Sequence, residues 1–558
     1  MTFEQQCSQA ASRFLQTAVL VDDRAEFQQA TAVDDGDDDD VGDFQEPLDL
    51  AAAPIGEAVA QARRENLDAG AITKGFAEKG LICSVLKPVG EGTIEKDVIR
   101  LAPRSDIIVL DWQMGDTDNG DIALRIIKSV LMIDRRFGGR LRLFAIYTGV
   151  RDLQTVADRI AEQASSLTAG EDLFEFFNDT QTTKVVILGK GTPEDHENGQ
   201  GGRCAEEGGL AERLIAEFAR FSGGILRNAT LASMGYLRDN THRLLARLNG
   251  SLDAPLVTHF ALVGSPQDSQ QYVADLILQE IEAQVPLNDI VAEYAGSAAM
   301  KARIAKVYAD GKHSRIVLNK TGTTVRDIPK ETAKALIDGP TAALTPHFEE
   351  FATELQLNVD QMPKLFAREQ IAKKLYCVLG DTFEEGLRKH EDFAIASGIR
   401  LTNSGDFESK LLPTVRLGTV IHDEEHYYVC LTPVCDSVRL RGKRANFLFG
   451  RLIEHQSKFN FIIDDRSERK RLFIDRKDPV LRTFELLPGA DETIRVQKKN
   501  FYIDYAVPLA DTPGVVRWVA EIKPMQAQRV VGSITSNLAR IGLDEFEWLR
   551  HLAENWSG

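Results

Sequence analysis

Residues 106–111 read DIIVLD, four apolar residues bounded at each end by an aspartate. A run this short and unbroken fits a strand buried on both faces of a parallel sheet, and its final aspartate falls at the carboxyl end, where such sheets bind ligands. Four other runs share the pattern: FLQTAVLVDD (Phe14 to Asp23), LICSVL (Leu81 to Leu86), LRLFAIYT (Leu141 to Thr148) and KVVILGK (Lys184 to Lys190). Helical periodicity falls between them, at roughly Pro54 to Lys79, Gly120 to Met132 and Asp152 to Gln163. Alternation of strand and helix predicts a doubly wound α/β domain with helices on both faces of a parallel sheet.

Working outward, the chain is too long for one domain: 558 residues exceed a typical domain several-fold. Hydrophobic residues at 43% and charged residues at 27% are ordinary for folded proteins and exclude wholesale disorder. An acidic stretch, Asp34 to Asp40 (DDGDDDD), reads as a solvated insertion at about 30–55. From Gly208 the texture turns to long amphipathic segments, among them SPQDSQQYVADLILQEIEAQVP, with Ser265 as N-cap and Pro266 at the first helical position. From about Gly405 short alternating runs return, closing in a helical stretch from about Gln526 to Asn555. The expected division is therefore a domain over 1–205, a helical middle over 206–404 and a mixed α/β C-terminal domain over 405–558.

The net charge of −18 argues against nucleic acid and anionic membrane as partners of the whole chain. Six cysteines without a CxxC pair fit reduced thiols. There is no signal-peptide pattern at the start and no apolar run long enough to span a bilayer, so a cytoplasmic location is expected.

Four of the five strand ends in the N-terminal region carry a residue with chemistry. The first run ends in Asp22 and Asp23, the third in Asp111, the fourth in Thr148 and the fifth in Lys190. Clustered carboxylates repel unless a cation offsets them, and hard oxygen donors suit Mg²⁺. A carboxylate can serve as nucleophile toward a phosphoryl group, with metal and a fixed ammonium meeting the charge. Asp111 is the candidate nucleophile, Lys190 the fixed cation, and Thr148 a hydroxyl able to bond a phosphoryl oxygen.

The order of these residues resembles the receiver domain of bacterial response regulators, with its flavodoxin-like sheet. In that family an acidic pair follows the first strand, a phosphoaccepting Asp the third, Thr or Ser the fourth and Lys the fifth; here these are Asp22 and Asp23, Asp111 in VLDWQM, Thr148 in YTG, and Lys190 in LGKG. The resemblance covers about Phe14 to Gly191. It implies Mg²⁺ held by Asp22, Asp23, Asp111 and the backbone carbonyl of Gln113, and a sensor histidine kinase as phosphodonor. It also implies a protein that accepts phosphate and is otherwise not an enzyme. Departures are visible: Gly115 and Gly191 stand where the family has Pro, Gly120 falls one residue late, Ile187 replaces the relay aromatic, and the Asp23 to Asp111 stretch is roughly double the family length. Tyr147 is an alternative relay. With its LDW and IYTG motifs and long first connection, the segment further resembles receivers of Detocs-type bacterial anti-phage two-component systems. In such systems a kinase phosphorylates receiver proteins, one bearing a toxic effector and another acting as a phosphate sink. Absence of a recognisable effector motif in the second half favours the sink-like partner. An effector protein partner, a homo-oligomer, a DNA-binding regulator, a pseudo-receiver scaffold and a cryptic C-terminal activity stay open.

Other motifs carry less. HDEEH (His422 to His426) is not H-E-x-x-H and sits where a hairpin turn is expected. Cys430 and Cys435 lack a second zinc-like pair, and GKHS and NKTGTT lack the full phosphate-loop spacing. Basic clusters at Arg439 to Arg444, Arg466 to Arg471 and Arg495 to Lys499 are diluted by acidic neighbours such as Asp464 and Asp465.

Overall fold

Five parallel strands, β1 (Thr17–Val21), β2 (Ile82–Leu86), β3 (Ile107–Leu110), β4 (Arg142–Thr148) and β7 (Thr183–Lys190), build the N-terminal sheet. Their spatial order is β2-β1-β3-β4-β7, the 2-1-3-4-5 order of flavodoxin-like folds. The computed structural model describes residues 1–27, 67–88, 93–115, 118–136, 138–196, 200–263, 266–319, 321–403, 412–442, 444–456, 458–466, 468–499, 504–510 and 516–538. The acidic stretch Asp34 to Asp40, Ser265 and the end of the C-terminal helical pattern lie outside them.

The chain forms two compact units, one of Met1–Arg247, Glu280–Lys312 and Lys330–Pro340, the other of Leu248–Gln279, His313–Pro329 and Thr341–Gly558. In the first, alternate strand residues enter opposite layers, as the two-residue period of a strand requires. Ala18, Leu20, Ile107, Val109, Tyr147 and Leu188 share a core with α1 (Phe3–Phe14), α2 (Ala69–Glu78), α6 (Leu210–Ser222) and α7 (Ile225–Asp239). Val19, Val21, Ile108, Leu110, Ile146 and Ile187 share the other with α3 (Thr93–Leu101), α4 (Asp121–Arg136) and α5 (Leu153–Gln163). A hairpin, β5 (Leu167–Ala169) and β6 (Glu175–Asn178), extends the sheet antiparallel along the first half of β7, and β8 (Cys204–Ala205) pairs with its last two residues. The outer edge of β7 is thereby covered along most of its length.

Charges pin the sheet at its amino end. Arg142 is fully buried, donating from Nε to Asp134 at 2.9 Å and from one terminal nitrogen to the carbonyls of Ala102 and Ser105 at 2.8 Å. Lys184 is equally buried against Glu217 of α6 (2.9 Å) and Glu175 of β6 (3.0 Å). A buried charge persists only when paired like this.

The second unit joins helices to a ten-stranded antiparallel sheet. Its strands are β9 (Ile399–Thr402), β10 (Thr419–His422), β11 (Tyr427–Cys430), β12 (Ala445–Glu454), β13 (Phe461–Asp465), β14 (Glu468–Phe473), β15 (Leu481–Leu486), β16 (Gln497–Lys499), β17 (Asp504–Val507) and β18 (Val516–Ile522). Strands β15, β12, β11, β10, β18 and β17 pair in sequence, and the ring closes where Leu486 bridges Leu509 and the Leu487 amide donates to the Pro508 carbonyl at 3.0 Å. Phe447, Phe449, Phe484, Tyr428 and Trp518 fill this six-stranded barrel. On the outer face α8 (Phe383–Gly398) and α9 (Pro524–Leu538) accompany a second core, to which α9 contributes Ala527, Val530 and Ile534.

Beside the barrel, Asp465 and Arg517 form a buried forked pair, one limb at 2.7 Å, and the Tyr427 hydroxyl donates to the same carboxylate at 2.7 Å. Burial works to raise the Asp465 pKa, but the guanidinium and hydroxyl more than offset it and hold the carboxyl below its usual range. A carboxyl depressed on folding stabilises the fold above the unfolded value of about 4 and loses that contribution as pH falls through the folded value. Amide protection over Val516–Ile522 should therefore drop on acidification from neutrality to below about 4. Asp465→Asn should lower protection at neutral pH and flatten this profile; an acid profile identical to the parent's would assign the sensitivity to other groups.

Candidate functional site

Register brings the predicted residues together. Val21 lies level with Leu110, Leu110 with Ile146, and Thr148 with Gly189, so the residues following these positions emerge at one edge of the sheet. The ladder runs one residue past the strands, the Asp22 amide donating to the Leu86 carbonyl at 3.1 Å and the Asp111 amide to the Val21 carbonyl at 2.9 Å. Backbone pairing thus fixes both carboxylates before any side-chain contact is made.

At the centre sits the Lys190 ammonium, 2.6 Å from Asp22 Oδ2 and 3.1 Å from Asp111 Oδ2. All three side chains are buried. The second oxygen of Asp22 accepts from the Arg24 amide, and that of Asp111 from the Trp112 amide, each at 2.8 Å. Burial pushes the Asp111 carboxyl up, Lys190 pulls it down and Asp22 pushes it up again, leaving it at about 7. Burial disfavours the charged form of Lys190, yet Asp111 and Asp22 hold its pKa above the usual lysine range. Lys190 therefore remains a cation beside a carboxyl poised between its two forms.

Asp23 completes the acidic group. Its Oδ2 accepts the Gly115 amide at 2.8 Å, while its Oδ1 is buried without a hydrogen-bond partner. One oxygen each from Asp22, Asp23 and Asp111 lie within 4.8 Å of one another. Three carboxylates with oxygens this close, one of them also carrying an unpartnered buried oxygen, form a donor set for a hard divalent cation, so these residues fit Mg²⁺. Mg²⁺ held there would neutralise oxygens of a phosphoryl group. Gln113 lies in the same loop, its side chain exposed. Gly115 has φ +112° and uses its N–H; proline could supply neither, which gives this departure from the family pattern a physical reason.

Thr148 is buried, and its Oγ1 accepts the Val150 amide at 3.2 Å, leaving its own proton free to be donated. Tyr147 points to the opposite layer, where its hydroxyl donates to the Ala205 carbonyl at 2.7 Å. Ile187 is wholly buried in the layer of α4 and α5. One residue escaped the sequence reading: His196, whose ring lies between the carbonyls of Val150 and Lys190. A single histidine after a polar loop carries no pattern that could have shown it.

The remaining motifs fall elsewhere. His422 ends β10 and Tyr427 begins β11, so HDEEH is a hairpin turn, folded by the Asp423 side chain accepting the His426 amide at 2.9 Å. Cys430 is buried and Cys435 exposed. Arg469 pairs with Glu391 (3.1 Å) and Asp392 (2.7 Å) of α8, and Arg471 also pairs with Glu391, so this basic cluster is neutralised within the unit. Among the described residues no helix is long and apolar enough to cross a membrane.

A parallel 2-1-3-4-5 sheet, paired aspartates after its first strand, an aspartate after its third and a lysine ending its fifth parallel strand are the features that the sequence shares with receiver domains. Comparison with family models agrees: residues 14–194 match the response receiver domain, which supports a receiver domain in this part of the chain. Curated proteins and solved structures give no match.

Because a metal ion displaces the proton from a carboxyl near 7, Mg²⁺ affinity should rise with pH through that value, with proton release on binding. Calorimetric titration in buffers of different ionisation enthalpy checks this. Asp111→Asn should lose the proton linkage and Asp23→Asn most of the affinity; a pH-independent affinity in the parent chain would refute the assignment.

Proposed function

We propose that the protein is a phosphorylation-responsive signalling protein that accepts a phosphoryl group on Asp111 from a sensor histidine kinase. A receiver domain supports such signalling in general. The observation that carries the specific reading is the buried Lys190 ammonium bridging Asp22 and Asp111. An oxygen of Asp111 attacks phosphorus; the P–N bond of the donor phosphohistidine breaks, its electron pair leaves with the imidazole nitrogen, and an acyl phosphate remains. Lys190 meets the added charge, and Thr148, once released from Val150, donates to a phosphoryl oxygen.

On this reading the chain acts in a bacterial anti-phage two-component system of the Detocs type, as a switch or phosphate sink. Support comes from the LDW and IYTG motifs and from a C-terminal barrel whose interior is occupied by Phe447, Phe449, Phe484 and Trp518. Cytoplasmic location, a kinase partner and the lack of catalytic output beyond phosphate loss belong to the same proposal.

The test is reaction with acetyl phosphate and Mg²⁺, or with a phosphorylated kinase, followed by intact mass. One phosphoryl adduct should form and be absent in Asp111→Asn. A slow loss of label fits a sink, a fast loss a transient switch. No adduct from either donor would leave a pseudo-receiver and overturn the proposal.

A further inference from the structure

The segment after β7 returns across the site. Lys190 is followed by Gly191, at φ +87°, and then by a short turn in which the Thr192 amide and hydroxyl both donate to Asp195 Oδ2 at 2.9 Å. This turn presents His196, 8% exposed, with Nδ1 3.0 Å from the Val150 carbonyl and Nε2 2.8 Å from the Lys190 carbonyl. Both partners are carbonyl oxygens, so the ring N–H donates to one of them, the tautomer setting which, while the ring fills the space between the loop after Thr148 and the strand end carrying the cation. Its seat needs a residue without a side chain below: a Cβ on Gly189 would lie 2.4 Å from Nε2.

The same segment is tied down twice more. Gln200 accepts the Leu153 amide at 2.9 Å and donates to Asp152 at 3.2 Å, holding the start of α5. Ala205 pairs with Lys190 in β8, and its carbonyl accepts the Tyr147 hydroxyl at 2.7 Å. Immediately before β8, Arg203 lines a cavity of ≈ 790 Å³ with Arg213 and Arg220. Movement of the Lys190 backbone or of the Thr148–Val150 loop therefore bears on His196 and, through the Lys190–Ala205 pairing, on β8. Ile187, wholly aliphatic, has neither ring nor hydroxyl to take that part.

We infer that His196 is a positioning residue that couples phosphorylation of Asp111 to the segment ending in β8, a reading that rests on Asp111 being the phosphoacceptor. When phosphoryl oxygens draw Lys190 and Thr148, the carbonyls of Lys190 and Val150 shift together because one ring spans them, and the register of Cys204–Ala205 on β7 responds. The response is a change between packed arrangements rather than a gradual deformation.

The experiment pairs intact mass after acetyl phosphate and Mg²⁺ with amide exchange at Cys204 and Ala205, measured on the full chain with and without the adduct. In the parent, exchange at these amides should change when the adduct forms. In His196→Ala the adduct should still form while the change is lost, and His196→Gln, which keeps a donor, should restore part of it. Gly189→Ala, which drives the ring from its seat, should reproduce the alanine phenotype independently, so a folding failure in one variant does not remove the test. An exchange response that persists in His196→Ala and Gly189→Ala overturns the inference, as does a parent that forms adduct without any response at β8. A parent that forms no adduct with acetyl phosphate or with a phosphorylated kinase overturns the phosphoacceptor reading itself, and the coupling with it.

Discussion

A single buried ammonium governs the N-terminal unit. Three carboxylates crowd the carboxyl edge of the sheet, and two buried charges of one sign cannot share such a space unless something of the other sign lies between them. Lys190 supplies it at 2.6 and 3.1 Å from Asp22 and Asp111. Removing one partner of a buried pair typically costs about 3–5 kcal/mol, since the other charge is left stranded. The strand order, the register that levels Val21 with Leu110 and the cover over β7 all keep this lysine in place.

The cover is where this domain departs from the receiver pattern it matches. The β5–β6 hairpin and β8 occupy the outer edge of β7, and Lys184, Glu175 and Glu217 lock hairpin, sheet and α6 together through buried ion pairs. An exposed strand edge invites unwanted pairing, and covering it removes that liability. Covering it also means that a signal arising at Lys190 meets packed structure rather than solvent on that side. Gly191, free to adopt φ +87° as proline is not, turns the chain back over the site instead of leading it away.

Much of this was legible in the sequence. Parallel strands advertise themselves as unbroken apolar runs: β1 to β4 lie within the predicted segments, even β2 with its half-exposed side chains, β7 begins one residue earlier at Thr183, and the last residues of four of the runs marked the site. Asp22, Asp111 and Lys190 meet as their order implied. What escaped depends on distant partners. FEQQCSQAASRF forms α1, fixed by a Thr2–Gln5 capping box, but its apolar end at Phe14 merges in sequence with β1. The β5–β6 hairpin is short, and a lone histidine is mute until Val150 and Lys190 surround it. Barrel closure likewise rests on a bridge between Leu486 and Leu509, which no local periodicity encodes.

The departures from the family pattern are not independent losses. Gly115 gives up a proline and gains the N–H that binds Asp23 Oδ2, while the other oxygen of that carboxylate is buried without a hydrogen-bond partner. Ile187 gives up an aromatic ring, while Tyr147, one residue before Thr148, is anchored to β8 rather than free to swing. With the ring at Ile187 absent and Tyr147 anchored, the contacts that span the two loops are those of His196, whose seat exists because Gly189 has no side chain. Chemistry and coupling therefore separate in this chain: the first is held by side chains at strand ends, the second by backbone carbonyls bridged from a segment beyond the usual end of the sheet.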